Sequence, residues 1–145
     1  MAPLFVLVPG FVILRLLGLV GVTPLDGWQP ALRVALALMF LLTASAHFLG
    51  QRKTDLIEMV PPRVPAPGVL VALTGVLELA GAVGLLVPAT TSAAASCLTL
   101  LMLVMLPANI SAARRNLTLN GKPVMGVWPR VGLQVVFVAA AVAVI

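Results

Sequence analysis

Chemistry-bearing residues are scarce in this 145-residue chain: one cysteine, one histidine, no tyrosine and four carboxylates. A single cysteine, Cys97, permits no intramolecular disulfide and no CxxC redox pair. One histidine and one cysteine cannot supply bis-histidine haem ligation, an iron–sulfur cluster or a tetrahedral zinc site, so no metal site is expected. No Gly-rich phosphate loop, paired carboxylate motif or nucleophile–base–acid pattern is visible. Cys97 follows Ala93-Ala94-Ala95-Ser96 and reads as a small buried hydrophobe. Charge is equally thin: 9% of residues are charged against 61% hydrophobic, with a mean hydropathy of +1.18. No soluble core of this size requires so apolar a composition.

What fills the chain instead is five apolar stretches, at about 3–22, 31–49, 68–87, 92–113 and 127–145. Each approaches the roughly 20 residues a helix needs to cross a hydrocarbon core of about 30 Å. The expectation is an all-α, polytopic membrane bundle of five transmembrane helices, a single domain over residues 1–145, since no polar interval is long enough to separate two. No internal repeat or low-complexity tract points to a solenoid or an inverted-repeat transporter.

Of the nine basic residues, Arg52, Lys53, Arg63, Arg114, Arg115 and Lys122 fall in the two intervals 50–67 and 114–126, with Arg130 just inside the last helix. Five spans place these intervals on one side of the membrane; the other side has Asp26 and only Arg33 as a basic residue. The net charge of +5 therefore reflects the positive-inside bias and anionic lipid rather than nucleic acid. It predicts a cytoplasmic N-terminus and an external C-terminus, in the plasma membrane of a prokaryote. The first stretch lacks a basic n-region, carries Arg15 and precedes Val22-Thr23-Pro24, so it reads as a membrane helix rather than a cleaved signal.

Breakers frame the helices. Pro24, Asp26, Gly27 and Pro30 make the first turn, and Trp28 and Trp128 suit interfacial anchors. Pro61, Pro62, Pro65 and Pro67 stiffen the approach to the third helix. Before them, residues 55–60 read as a short interfacial helix, with Asp55 and Glu58 at capping-box spacing. Gly75, Gly81 and Gly84, and the small residues 92–96, offer surfaces on which helix backbones approach closely, within a bundle or a homo-oligomer.

Polar groups at membrane depth carry the functional argument. Glu78 lies near the centre of the third stretch, where a charge costs roughly 2.5–3.5 kcal/mol and so faces the bundle with a partner or a proton. Thr74, Glu78 and Gly81 share one face at i, i+4, i+7. Arg15 and Glu78 match in depth, which predicts an Arg15–Glu78 ion pair with Gln134 adding a hydrogen bond. A second cluster, His47 and Asn109 with the loop 55–67, is expected to form the mouth of a pocket, and Pro107 to free a carbonyl one turn back. Arg15, Thr74, Glu78, Gln134, His47 and Asn109 are the candidate ligand-binding residues. Glu78 and His47 are the candidates for general acid or base if the chain is catalytic, which the sequence leaves open.

Four stretches in register, Ala46-His47-Phe48, the segment 59–67, the segment 73–81 and Leu106-Pro107-Ala108-Asn109-Ile110, resemble the DoxX-like membrane proteins over about residues 31–145. The resemblance implies a four-helix core from the second to the fifth helix, to which this chain adds an N-terminal helix bearing Arg15. It also implies kinship with accessory subunits of quinone-linked sulfur oxidation, with partners of membrane oxidoreductases and, more distantly, with chaperones of membrane receptors. His47, Pro61, Pro62, Glu78, Pro107 and Asn109 match the shared pattern without an assigned catalytic role.

The leading expectation is an accessory subunit of a membrane redox system, holding a quinone or another lipophilic molecule non-covalently between its helices. Its rival is an assembly factor that recognises a client membrane protein's transmembrane helix. A third reading is a small membrane-embedded enzyme acting on a lipophilic substrate.

Overall fold

The computed structural model describes residues 2–119 and 121–145. Its elements are α1 (Ala2–Leu19), a 3₁₀ turn at Thr23–Leu25, α2 (Trp28–Phe48), α3 (Gly50–Met59), α4 (Pro67–Leu86), α5 (Thr91–Arg114), a two-residue hairpin of β1 (Thr118–Leu119) with β2 (Lys122–Pro123), and α6 (Val127–Val142). Among the described residues the regular structure is all-helical apart from that hairpin. Four helices, α1, α2, α4 and α5, are long and apolar enough to cross a membrane; α6 is apolar but has 16 residues.

Two elements and one side chain differ from expectation. The helix placed at 55–60 begins at Gly50, so Asp55 sits mid-helix rather than at a cap and is buried, accepting from Gln51 Nε2 at 2.9 Å. Gly50 takes φ 53 at the corner between α2 and α3, a left-handed conformation open to glycine, and so lets the second helix start directly after the first. The α5–α6 connection contains the small hairpin. Cys97 is exposed on α5 rather than buried, because Ala94, Ala95 and Leu98 occupy the inward face.

Packing defines a ring. α2 lies along α4, α4 along α5, α5 along α6, and α6 touches α2 again, while α1 rests on the outside of α2 and α3 crosses the α2–α4–α5 end. Among the described residues, ten of the twenty buried apolar ones are alanine, whereas Val, Leu, Ile and Phe crowd the outer surface. Small residues inside and large apolar ones outside suit a bundle whose surroundings are hydrocarbon, where close backbone approach rather than hydrophobic burial drives association. On α4 a Cβ at Gly81 would lie 2.5 Å from Leu98, and one at Gly84 2.8 Å from Ala94, so both glycines admit α5.

Helix ends are satisfied by side chains. At the α4–α5 turn, Thr90 Oγ1 donates to the Gly84 and Val87 carbonyls and Thr91 Oγ1 to those of Leu85 and Val87. At the opposite end, Arg115 Nη2 donates to the carbonyls of Glu58 at 2.8 Å and Met59 at 2.9 Å, closing the C-terminus of α3 and tying it to α5.

Candidate functional site

α2 and α4 run antiparallel, and each sends one ionisable side chain into their interface. Helical side chains lean toward their helix N-terminus. His47, near the end of α2, therefore leans back along α2, and Glu78, midway along α4, leans toward the start of α4. The two meet. His47 Nε2 lies 3.6 Å from Glu78 Oε1, with side chains 4% and 8% exposed. That is an ion-pair separation rather than a hydrogen bond.

The other side of the imidazole is held by backbone. Nδ1 lies 2.8 Å from the Val71 carbonyl oxygen, which only accepts, so Nδ1 carries a hydrogen and donates it. The Thr74 hydroxyl donates to the same carbonyl at 3.0 Å and sits 3.1 Å from Nδ1. Val71 and Thr74 thus fix the ring and leave Nε2 turned to the carboxyl. Two arrangements are favourable there: a carboxylic acid facing an Nε2 lone pair, or an imidazolium facing a carboxylate. The third, a neutral ring against a carboxylate, sets two lone pairs against each other in a buried place. The pair is built to hold one proton between its members.

Gly75 makes this meeting possible. A Cβ on it would lie 2.5 Å from His47 Cβ and 2.9 Å from the Phe48 ring. One atom of the centre stays unsatisfied: Glu78 Oε2 is buried and has no hydrogen-bond partner among the described residues. An unmet buried acceptor of this kind costs about 1–3 kcal/mol.

The remaining candidate residues are distributed differently from expectation. Arg15 does not pair with Glu78; its Nη1 stands 3.9 Å from Asp26 Oδ1 in the turn after α1. The reason is neighbourhood. α1 packs on α2 and the 3₁₀ turn rather than on α4, so matching depth does not bring Arg15 to Glu78, and the long side chain snorkels to the nearest carboxylate. Gln134 likewise serves another contact: its Nε2 donates to the Met102 carbonyl at 2.5 Å, one residue before the carbonyl that Pro107 deprives of its helical donor. Asn109 accepts from Arg130 Nη1 at Oδ1 (2.9 Å) and at its backbone carbonyl (3.2 Å). His47 and Asn109 are therefore committed to different helix pairs, α2–α4 and α5–α6, and do not frame one mouth. Of the six candidate residues, His47, Thr74 and Glu78 come together; Arg15, Gln134 and Asn109 do not join them. Arg115, counted in the sequence among the loop charges, and Arg130, counted just inside the last helix, bind backbone carbonyls of neighbouring elements.

Among the described residues, no group of three or more His, Cys, Asp or Glu side chains is placed to hold a metal ion. Two grooves lie away from the His47–Glu78 pair. One of about 230 Å³ is lined by Gln29, Arg33, Thr91 and Ser92 with the last residues of the chain. The other, about 440 Å³, runs along the end of α5.

Residues 36–145 match the family model of a domain of unknown function, DUF8561. The match starts within α2 and takes in the whole His47–Glu78 centre, leaving α1 outside. No curated protein and no solved structure matches the chain.

Proposed function

Because the chain belongs to the DUF8561 family, whose description assigns no activity, we propose its function from the site itself: an accessory subunit of a membrane redox system that holds a quinone-like or other lipophilic molecule by its polar head at His47 and Glu78. The observation that carries this reading is the buried, unpartnered Oε2 of Glu78 beside a histidine whose other nitrogen is already committed. With the proton on Oε1 or on the imidazole, Oε2 accepts in both cases, so the ligand group that meets it is a hydroxyl donor, such as the hydroxyl of a reduced quinone. The ring of α2, α4, α5 and α6 with α1 outside fits the four-helix core that the resemblance to the DoxX-like proteins implies, and the link to quinone chemistry comes from that resemblance alone.

In this reading the chain is a five-span protein of a prokaryotic plasma membrane. α6, about 24 Å of helix by its 16 residues, supplies the fifth span, and the basic loops lie in the cytoplasm. The test is purification of the full chain from native membranes in mild detergent, followed by mass spectrometry of the organic extract and of co-purifying proteins. A quinone or other lipophile together with an oxidoreductase supports the proposal. A membrane client without any lipophile turns the reading to an assembly factor, and neither one ends it.

A further inference from the structure

At the basic end of the bundle, Pro107, Ile110, Ser111 and Arg114 form one stripe of α5 at i, i+3, i+4, i+7, and with Arg115 they line the groove of about 440 Å³. Its walls change character along the helix: Pro107 and Ile110 are apolar, and the end is closed by the Ser111 hydroxyl and the two guanidinium groups. Arg115 spends Nη2 on the α3 carbonyls. Arg114 makes no ion pair and Ser111 no side-chain hydrogen bond among the described residues. Charge here is unbalanced. Arg52, Lys53, Arg63, Arg114, Arg115 and Lys122 face only Asp55 and Glu58 as carboxylates in this part of the chain, and Asp55 is buried in α3.

We infer that this groove is a binding site for an anionic phospholipid. The phosphate sits between the Ser111 hydroxyl, which donates one hydrogen bond, and Arg114, whose planar fork matches phosphate oxygens. The acyl chain continues along Ile110 and Pro107, toward the middle of the bundle. The order of groups along the stripe, cation and hydroxyl at the helix end and apolar residues one and two turns inward, is that of a phospholipid lying in a leaflet. A free phosphate ion has no use for the apolar half, and a zwitterionic lipid leaves the two arginines uncompensated. This site is separate from the His47–Glu78 centre and stands whether or not that centre binds a lipophile.

The test uses the full chain reconstituted in phosphatidylcholine vesicles, with spin-labelled phosphatidylglycerol or spin-labelled phosphatidylcholine as the probe and the motionally restricted fraction as the readout. The wild type is expected to prefer the anionic probe. Arg114→Gln lowers that preference about fivefold, the contribution of one basic residue beside an anionic lipid. Ile110→Trp, which fills the groove and alters no charge, lowers it as well, while Lys53→Gln leaves it unchanged. Helical circular dichroism accompanies each variant. No preference in the wild type, or a preference that survives both Arg114→Gln and Ile110→Trp, overturns the assignment. So does an equal loss in Lys53→Gln, which would make the effect diffuse charge rather than a site.

Discussion

The Cβ that Gly75 lacks would lie 2.5 Å from the Cβ of His47. The obstruction is set close to the α2 backbone, where no rotamer change relieves it, and the Phe48 ring closes the other side at 2.9 Å. Gly75→Ala is therefore expected to push α2 from α4 and lower stability by about 1–3 kcal/mol, while separating Nε2 from the carboxyl. Gly132→Ala on α6, where nothing lies within 4 Å, serves as the control and should be neutral or mildly stabilising by helix propensity. Thermal unfolding of both variants in detergent checks this; equal behaviour would contradict the close approach.

His47 and Glu78 should couple. Removing His47 alone, as His47→Leu, leaves a buried carboxyl facing apolar groups and is expected to cost about 2 kcal/mol or more. Adding Glu78→Leu removes the stranded group, so the double variant should recover much of the loss. A double-mutant cycle is expected to give an interaction of about 0.5–3 kcal/mol. Additive effects would mean that the two side chains do not sense each other.

Arg115 supports α3 through backbone carbonyls rather than through a charge pair. Arg115→Ala should cost about 1 kcal/mol and raise amide hydrogen exchange in residues 50–59 ahead of the rest of the bundle. Arg115→Lys keeps the charge but not the fork and should restore the protection only in part. Unchanged exchange in α3 would show that the helix holds itself.

Asp26 is exposed and its approach to Arg15 is loose, at 3.9 Å, so Asp26→Asn should change stability by less than about 1 kcal/mol. Because Arg15 belongs to that turn and not to the Glu78 centre, Arg15→Leu should leave ligand retention at Glu78 intact. Extraction and mass spectrometry of the Arg15 variant decide the second point, and a ligand lost with Arg15 would restore the pairing that depth alone suggests.

The helices were legible because each is an apolar run bounded by proline, glycine or charge, and their ends shift by only a few residues. The first half of α3 is not legible in the sequence because Gln51, Arg52, Lys53 and Thr54 carry no apolar periodicity, and it is tertiary packing of Asp55 and Met59 that holds that stretch helical. The hairpin has a sequence signal in the Asn120-Gly121 dipeptide between Thr118-Leu119 and Lys122-Pro123. Glu78 stands out in the sequence because a carboxylate at membrane depth needs a partner, but its partner is His47 rather than Arg15. Counting depth along helices said Arg15; the lean of side chains toward helix N-termini, and the glycine at 75 opposite His47, point to the histidine. Depth says which residues are level, and only the packing order of helices says which are adjacent.

Glu78 is the group on which retention of a lipophile depends most directly in the proposed function. The direct measurement compares the organic extract of wild-type protein with that of Glu78→Gln, purified identically from native membranes and matched for helical circular dichroism. Glutamine keeps the size of the side chain but removes the shared proton. Retention of a quinone or other lipophile by the wild type and its loss from Glu78→Gln is the predicted result. Equal retention by both would contradict the role assigned to the pair.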